Sequence, residues 1–169
     1  MEIRYIMPGD DRMQISKIYE ESWKYAYHGI IPQAYLESIP KGQWVTKLDD
    51  SDRKTLICTD NGSIVGTSSF CSSRFRQFAH WGEIISIYLL PEYMGKGYGK
   101  KLLESAISEL RGLGYKDVFL WVLEENTRAR YFYEKFGFIQ TENVLDDILG
   151  GKKLREIRYI YTQKENEKQ

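Results

Sequence analysis

Leu90-Pro91-Glu92-Tyr93-Met94-Gly95-Lys96-Gly97-Tyr98-Gly99-Lys100-Lys101 is the stretch that decides how this chain folds. An apolar run, Ile84 to Leu90, enters it, and a helical pattern, Leu102 to Leu113, leaves it. A strand, a turn of small residues and a helix start together make an anion site. The first N–H groups of a helix have no partner within the helix and carry partial positive charge. Gly95, Gly97 and Gly99 remove the side chains that would hold a phosphate away from those groups. The competing reading is a loop whose glycines only ease entry into the helix. Alternating glycines backed by Lys96, Lys100 and Lys101 favour phosphate.

Downstream, Leu102, Leu103, Ala106, Ile107, Leu110 and Leu113 form one apolar helix stripe that Gly114 ends. Val118 to Leu123 reads as a buried strand, parallel to the strand before the turn because a helix connects them. Asn126 or Thr127 starts a short helix with Ala129, Phe132, Tyr133 and Phe136 on one face, stopped by Gly137. Phe138 to Val144 and Leu154 to Tyr161 make a final antiparallel pair around Gly150-Gly151. Upstream, Glu2 to Ile6 alternates as a first strand, and Asp10 or Asp11 caps a helix with Ile15, Ile18, Tyr19, Ser22 and Ala26 on one face. A weaker helical pattern, Ala34 to Leu48, is broken by Pro40-Lys41-Gly42. Lys54 to Thr59 and Ser63 to Ser72 form a hairpin about Asn61-Gly62, and Phe75 to His80 is a polar-aromatic connection.

The 169 residues suit one domain, expected over residues 1–163, with a polar tail at 164–169. The 24 basic side chains balance the 24 acidic ones, so bulk charge favours no nucleic-acid partner. Cys58 and Cys71 form no CxxC, and only His28 and His80 could join them, so neither a metal site nor a disulfide framework is expected. The first residues include Glu2, Arg4 and Pro8 and do not read as a signal peptide. No apolar run has the length of a membrane span. The expected setting is cytoplasmic, with no membrane partner.

Nucleotide fingerprints fail on this turn. GxGxxG is absent, since Gly95 and Gly97 lead to Lys100, and Gly97 and Gly99 lead to Leu102. GxxxxGK[ST] fails because, after the four residues that follow Gly95, Lys100 stands where the second glycine should be, with no Ser or Thr after it. The stretch Glu83 to Lys101, followed by Asn126 to Phe138, resembles the GCN5-related N-acetyltransferases (GNAT). Their signature Q/R-x-x-G-x-G/A corresponds to Met94-Gly95-Lys96-Gly97-Tyr98-Gly99. Their second motif appears as Asn126-Thr127-Arg128-Ala129-Arg130-Tyr131-Phe132-Tyr133-Glu134-Lys135-Phe136-Gly137-Phe138. The order β-α-α-β-β-β-α-β-α-β-β is also theirs. Met94 departs from the family's Gln or Arg.

That resemblance implies a mixed α/β acyl-CoA N-acyltransferase fold. It implies transfer of an acetyl group from acetyl-CoA, without a metal, to a primary amine of a small molecule or peptide, by direct attack in a ternary complex. The alternative is a non-catalytic acyl-CoA-binding regulatory module. By the resemblance, the backbone of Ile87, Tyr88 and Leu89 pairs with the pantetheine arm. Met94, Gly95, Lys96, Gly97, Tyr98, Gly99 and Lys100 cradle the pyrophosphate. Asn126 bonds the pantetheine or separates the strands, with a plain helix N-cap as the other reading. Tyr133 is the general acid toward sulfur, or a core residue. Glu83 is the general base, or an exposed strand-end carboxylate after Gly82. The acceptor side falls to Trp23, Tyr27, His28, Tyr35, Trp81 and the segment Leu145 to Lys153, where Asp146 and Asp147 either meet a cationic amine or are solvated turn residues. A homodimer pairing final strands or helices is compatible with such a fold.

Overall fold

Alternation at the N-terminus forms strand β1, Glu2–Tyr5, on the sheet edge. Asp11 then accepts from the Met13 and Gln14 amides and starts helix α1, Arg12–Ala26. The chain continues through α2 (Gln33–Ser38), α3 (Val45–Leu48), β2 (Lys54–Asp60), β3 (Ser63–Ser72), β4 (Gly82–Leu89), α4 (Tyr98–Gly112), β5 (Val118–Leu123), α5 (Thr127–Phe136), β6 (Ile139–Leu149) and β7 (Lys152–Tyr161). This computed structural model describes residues 1–162; the expected tail at 164–169 lies outside the described residues. The strands form one seven-stranded sheet in the order β1-β2-β3-β4-β5-β7-β6. Every neighbouring pair is antiparallel except β4 and β5. The expected mixed α/β architecture and element order are present.

Two helical layers cover the sheet. The α4 stripe, Leu102, Leu103, Ala106, Ile107 and Leu110, packs on Val65, Phe70, Ile84, Leu89, Leu120 and Val122 of one face. Leu113, expected at the end of that stripe, is 51% exposed because the helix ends one residue before it. On the other face, Ile15, Ile18 and Tyr19 of α1 meet Leu48, Ile57 and Ile64. The expected second helix is two short pieces. Glu20, buried on α1, accepts from the Gly42 amide at 2.8 Å and from Ser16 at 3.1 Å, tying the Pro40–Gly42 break to the helix.

Asn61 and Gly62 both have positive φ, 47° and 79°, as the tight β2–β3 hairpin requires. The last hairpin is longer than the sequence pattern suggested. β6 runs on to Leu149, so Leu145–Leu149 is strand rather than loop. Register across Asp146↔Arg155, sealed by the Asp146–Arg155 ion pair, extends the ladder to Gly150-Gly151 despite two aspartates of low β propensity. Among the described residues no helix is long and apolar enough to cross a membrane.

Candidate active site

The parallel β4–β5 pair is short. Only Gly82↔Val118 and Glu83↔Phe119 are in register, and beyond them the two strands diverge. A bulge helps to start the divergence: Ser69 opposes Ser86 while Phe70 opposes Ile84, leaving Ile85 unmatched. Beyond it, Tyr88 packs with the α1 layer and Ile87 and Leu89 with the α4 layer. The hydrogen-bond parity then decides where the free backbone points. Leu90 N–H donates to Val65 at 2.9 Å. In an antiparallel pair alternate residues bond the same neighbour, so the amides of Leu89 and Ile87 face away from β3, into the gap. That gap is a groove of about 800 Å³ walled by Ile85–Leu89 on one side and Trp121–Leu123 on the other.

The glycine turn closes one end of the groove. Gly95 and Gly97 have φ of 76° and 89°, which is why glycine stands there; a Cβ at either would meet nothing within 4 Å. Gly97 is the N-cap of the fifteen-residue α4, so the unpaired first amides of that helix lie at the groove. Lys100, Arg128 and Lys135 add cationic side chains to its lining. Met94 lines the groove and also packs on the α4 core, a reason for an apolar side chain at that position.

Tyrosines occupy the middle. Tyr133, on α5, has its phenol pKa raised by burial and by neighbouring Tyr88. Tyr88 is pushed up to about 12, mainly by burial, and accepts from the Trp23 indole N–H at 3.0 Å. Tyr27, just past α1, is raised well above the ordinary range by burial first and Tyr88 second. All three are therefore neutral proton donors at physiological pH. Asn126 caps α5, its Oδ1 accepting from the Ala129 amide at 3.2 Å, and it lines the groove as well.

A second cavity of about 300 Å³ adjoins the first. Ile85, Trp121 and Glu156 line both. Its inner end holds Glu83, fully buried rather than exposed at a strand end. Arg74 donates to Glu83 from Nη2 at 2.7 Å and from Nε at 3.2 Å, and the Arg74 backbone N–H adds a bond of 3.0 Å. Glu156, half-buried on β7, has its carboxyl pKa raised by burial, then by Asp147; Arg74 opposes and Glu83 adds to the shift. Among the described residues no hydrogen bond or ion pair engages the Glu156 carboxylate. The Trp121 indole N–H is buried without a partner among the described residues.

Of the residues singled out in the sequence, Ile87, Tyr88, Leu89, Met94, Gly95, Gly97, Gly99, Lys100, Asn126 and Tyr133 share the groove. Lys96 instead lies over the Tyr93 ring at 5.7 Å, and Tyr98 stacks edge-on against Tyr93. Of the acceptor-side residues, Tyr27 lines the groove and Leu145 the smaller cavity. His28 is exposed beside Gln33, Tyr35 belongs to a separate cluster around Leu36, and Trp81 stacks on the buried Arg158 guanidinium. Asp146 is held by Arg155, which lowers its pKa. Arg74, Trp121, Glu156, Arg128 and Lys135 were not picked out. Arg128 and Lys135 had a signal, seven residues apart on one helix face; Glu156 had none, being one charged residue in an alternating strand.

Among the described residues no group of three or more His, Cys, Asp or Glu side chains gathers as metal ligands. What the arrangement offers is an unpaired strand edge, an anion cradle, neutral phenols and one uncommitted carboxylate. The sequence model described as "Acetyltransferase (GNAT) family" matches residues 14–138. An uncharacterized N-acetyltransferase, YuaI, of Bacillus subtilis is 32% identical over 152 residues, 88% of this chain and 86% of its own. Spermidine N(1)-acetyltransferase of Thermoplasma acidophilum is 28% identical over 85% of this chain and 92% of its own. The crystal structure of PaiA N-acetyltransferase from Thermoplasma acidophilum, in complex with coenzyme A, superposes with a TM-score of 0.71, 26% identity, and coverage of 92% of this chain and 98% of that one.

Proposed function

The chain belongs to the acetyltransferase (GNAT) family, and from that premise we propose that it transfers the acetyl group of acetyl-CoA to a primary amine of a small molecule or peptide, by direct attack in a ternary complex. We read residues 1–163 as the one domain that does this. The observation that carries the proposal is the free edge of β4 running straight into the glycine turn. An extended pantetheine arm can pair with that edge as an added strand, and a pyrophosphate then meets the α4 amides. Acetyl-CoA supplies the activated thioester.

The chain's own groups have these assignments. The outward amides of Ile87 and Leu89 bind the arm, with Leu89 N–H placed to polarise the thioester carbonyl. Met94, Gly95, Gly97, Gly99 and Lys100 hold the pyrophosphate, the Lys96 and Tyr98 side chains being turned to Tyr93, and Arg128 and Lys135 meet the remaining phosphate charge. Tyr133, kept neutral by burial, hands its proton to the departing sulfur. Asn126 caps α5 and so holds Tyr133's helix at the groove. Glu83 is committed to Arg74 and serves to hold the walls of the smaller cavity rather than to take protons. The Thermoplasma relative named for spermidine fits an acceptor that is a primary amine. A reducing cytoplasmic setting suits the two buried free thiols, Cys58 and Cys71.

The test is release of free thiol from acetyl-CoA with and without a panel of primary amines. Amine-dependent release is expected. Tight acetyl-CoA binding with no release for any amine would leave only an acyl-CoA-binding module.

A further inference from the structure

We propose that Glu156, on the wall shared by the two cavities, docks the acceptor's ammonium group and takes its proton, and that the smaller cavity behind it admits amines bearing no carboxylate beside the nitrogen. This rests on the acetyl-transfer reading of the larger groove. Three observations carry it. Glu156 faces both cavities, so a group docked on it reaches the groove of Tyr133 and Leu89 and the space beyond. Its carboxylate is uncommitted, whereas the neighbouring carboxylate, Glu83, is bound by Arg74 through the side chain and the backbone. Acidic groups outnumber basic ones at its mouth: Glu83 and Asp147 raise the Glu156 pKa while Arg74 opposes them, and the buried Arg158, two residues along the same face of β7, lies over the Phe78, Trp81 and Phe119 rings.

Register explains why these groups converge. Glu156 opposes Leu145 on one side and Leu123 on the other, and alternation puts Asp147, two residues beyond Leu145, on the same face. Groups facing Glu156 are therefore Asp147 from β6, Glu83 from β4 and Arg74 from the segment after β3, with Arg158 two residues further along the same face of β7 and the Tyr27 and Tyr88 phenols across the groove. An ammonium group is attracted there. An α-carboxylate would sit in the same negative field, an arrangement that costs affinity. Phe75, Trp121 and Leu145 contribute apolar side chains, beside which the stem of the amine can lie, to a lining that is otherwise mostly polar. With about 300 Å³ available, and roughly 30 Å³ per water in the liquid, it takes a fragment of about ten heavy atoms.

The proton balance is complete. Alkylammonium plus thioester gives amide, thiol and one released proton. The carboxylate of Glu156 takes one proton from the ammonium and passes it to solvent. The nitrogen's lone pair forms the C–N bond as the C–S bond breaks, and Tyr133 protonates the sulfur. The nitrogen's second proton returns to Tyr133 through the groove. Burial and its acidic neighbours raise the Glu156 pKa, which makes it a better match to a proton acceptor near neutrality than an ordinary carboxylate.

The experiment uses the whole protein with matched acceptors: alanine, leucine and phenylalanine, each beside its decarboxylated amine and its amide. Wild type is expected to show kcat/KM at least tenfold higher for the amine or amide than for the parent amino acid. Glu156→Gln is expected to lose at least a hundredfold in kcat/KM, to lose the acidic limb of the pH–rate profile, and to narrow that discrimination. Its KM for acetyl-CoA stays as in wild type. Glu156→Asp keeps the limb with intermediate turnover, which separates lost chemistry from lost folding. Amino acids used as well as their carboxylate-free partners, or an acidic limb intact in Glu156→Gln, would overturn the inference while leaving acetyl transfer standing. Absence of turnover for every acceptor, with acetyl-CoA still bound, would remove both.

Discussion

Replacing Arg74 by Leu tests whether the smaller cavity is built on the Arg74–Glu83 pair. Glu83 is 0% exposed and Arg74 50% exposed by side chain, so the variant leaves a buried carboxylate beneath a half-open mouth. The guanidinium contacts at 2.7 and 3.2 Å disappear; the 3.0 Å bond from residue 74's own amide survives. Removing one partner of a buried pair costs about 3–5 kcal/mol. The surviving amide bond and water entering through the exposed side lower that to an expected ~2–3 kcal/mol. With a urea slope of about 2 kcal/mol/M, the unfolding midpoint falls by roughly 1–1.5 M. Adding Glu83→Leu should recover at least half of the loss, because no charge is then left buried alone. Urea melts of wild type, both singles and the double give the cycle. A loss below about 0.5 kcal/mol for Arg74→Leu, or a double variant no more stable than that single, would refute the reasoning. Glu83→Gln adds a catalytic arm: it should keep the acidic limb of the pH–rate profile, and loss of that limb would return Glu83 to the role of base.

Tyr133→Phe should lower kcat by about 10²–10⁴ while the acetyl-CoA KM barely moves, since the phenol gives up a proton and no described group bonds its hydroxyl; steady-state kinetics decide, and unchanged turnover excludes it as the acid. Gly66→Ala puts a Cβ 2.5 Å from Leu89 Cδ2 and 3.2 Å from the Tyr88 carbonyl oxygen, so overpacking should cost about 2 kcal/mol, seen as a Tm fall of about 4–8 °C, and should disturb the β4 edge enough to raise the acetyl-CoA KM. Asp10, lowered to about 2 by the Arg4 hydrogen bonds, binds its proton less readily folded than unfolded. Its contribution is therefore present above about pH 4 and lost as pH falls toward 2, by about 1 kcal/mol after solvent screening, measurable as the difference in acid unfolding between wild type and Asp10→Asn.

Features carried by local chemistry were legible in the sequence. Asn61-Gly62 marked a hairpin, Gly97 a helix entry, Gly137 a helix exit, and the α4 stripe a buried face. The residues of the larger groove followed in part, because the glycines announce the backbone geometry of its turn, and Met94, Gly95, Gly97, Gly99 and Lys100 do line one groove. What was not legible depends on tertiary placement. Nothing local says that β4 and β5 part after Glu83↔Phe119, since both segments are simply apolar runs. Leu145–Leu149 read as loop because its aspartates disfavour strand; pairing of Asp146 with Arg155 overrides that preference. Glu83 was visible as an odd charge in an apolar strand, but its partner Arg74 lies nine residues earlier, in a connection with no pattern.

On the proposed assignments, the same contrast separates a donor groove set by backbone from an acceptor cavity set by side chains. The donor groove draws on one edge of β4, one turn and one face of α5, segments whose backbone positions are fixed by the sheet and by α4's burial. The proposed acceptor cavity draws Arg74 and Phe75 from the connection after β3, Glu83, Ile84 and Ile85 from β4, and one side chain each from β5, β6 and β7. Exchanging Arg74, Leu145 or Glu156 alters its charge and width without touching a strand pairing or a glycine φ. Glu156 stands on the shared wall, so it is the position where acceptor choice and proton transfer meet. A change there alters which amine enters and whether that amine can shed its proton, whereas a change at Arg74 acts first on fit and stability. Substitutions that redirect the acceptor should therefore preserve an acid at 156 and vary the residues around it.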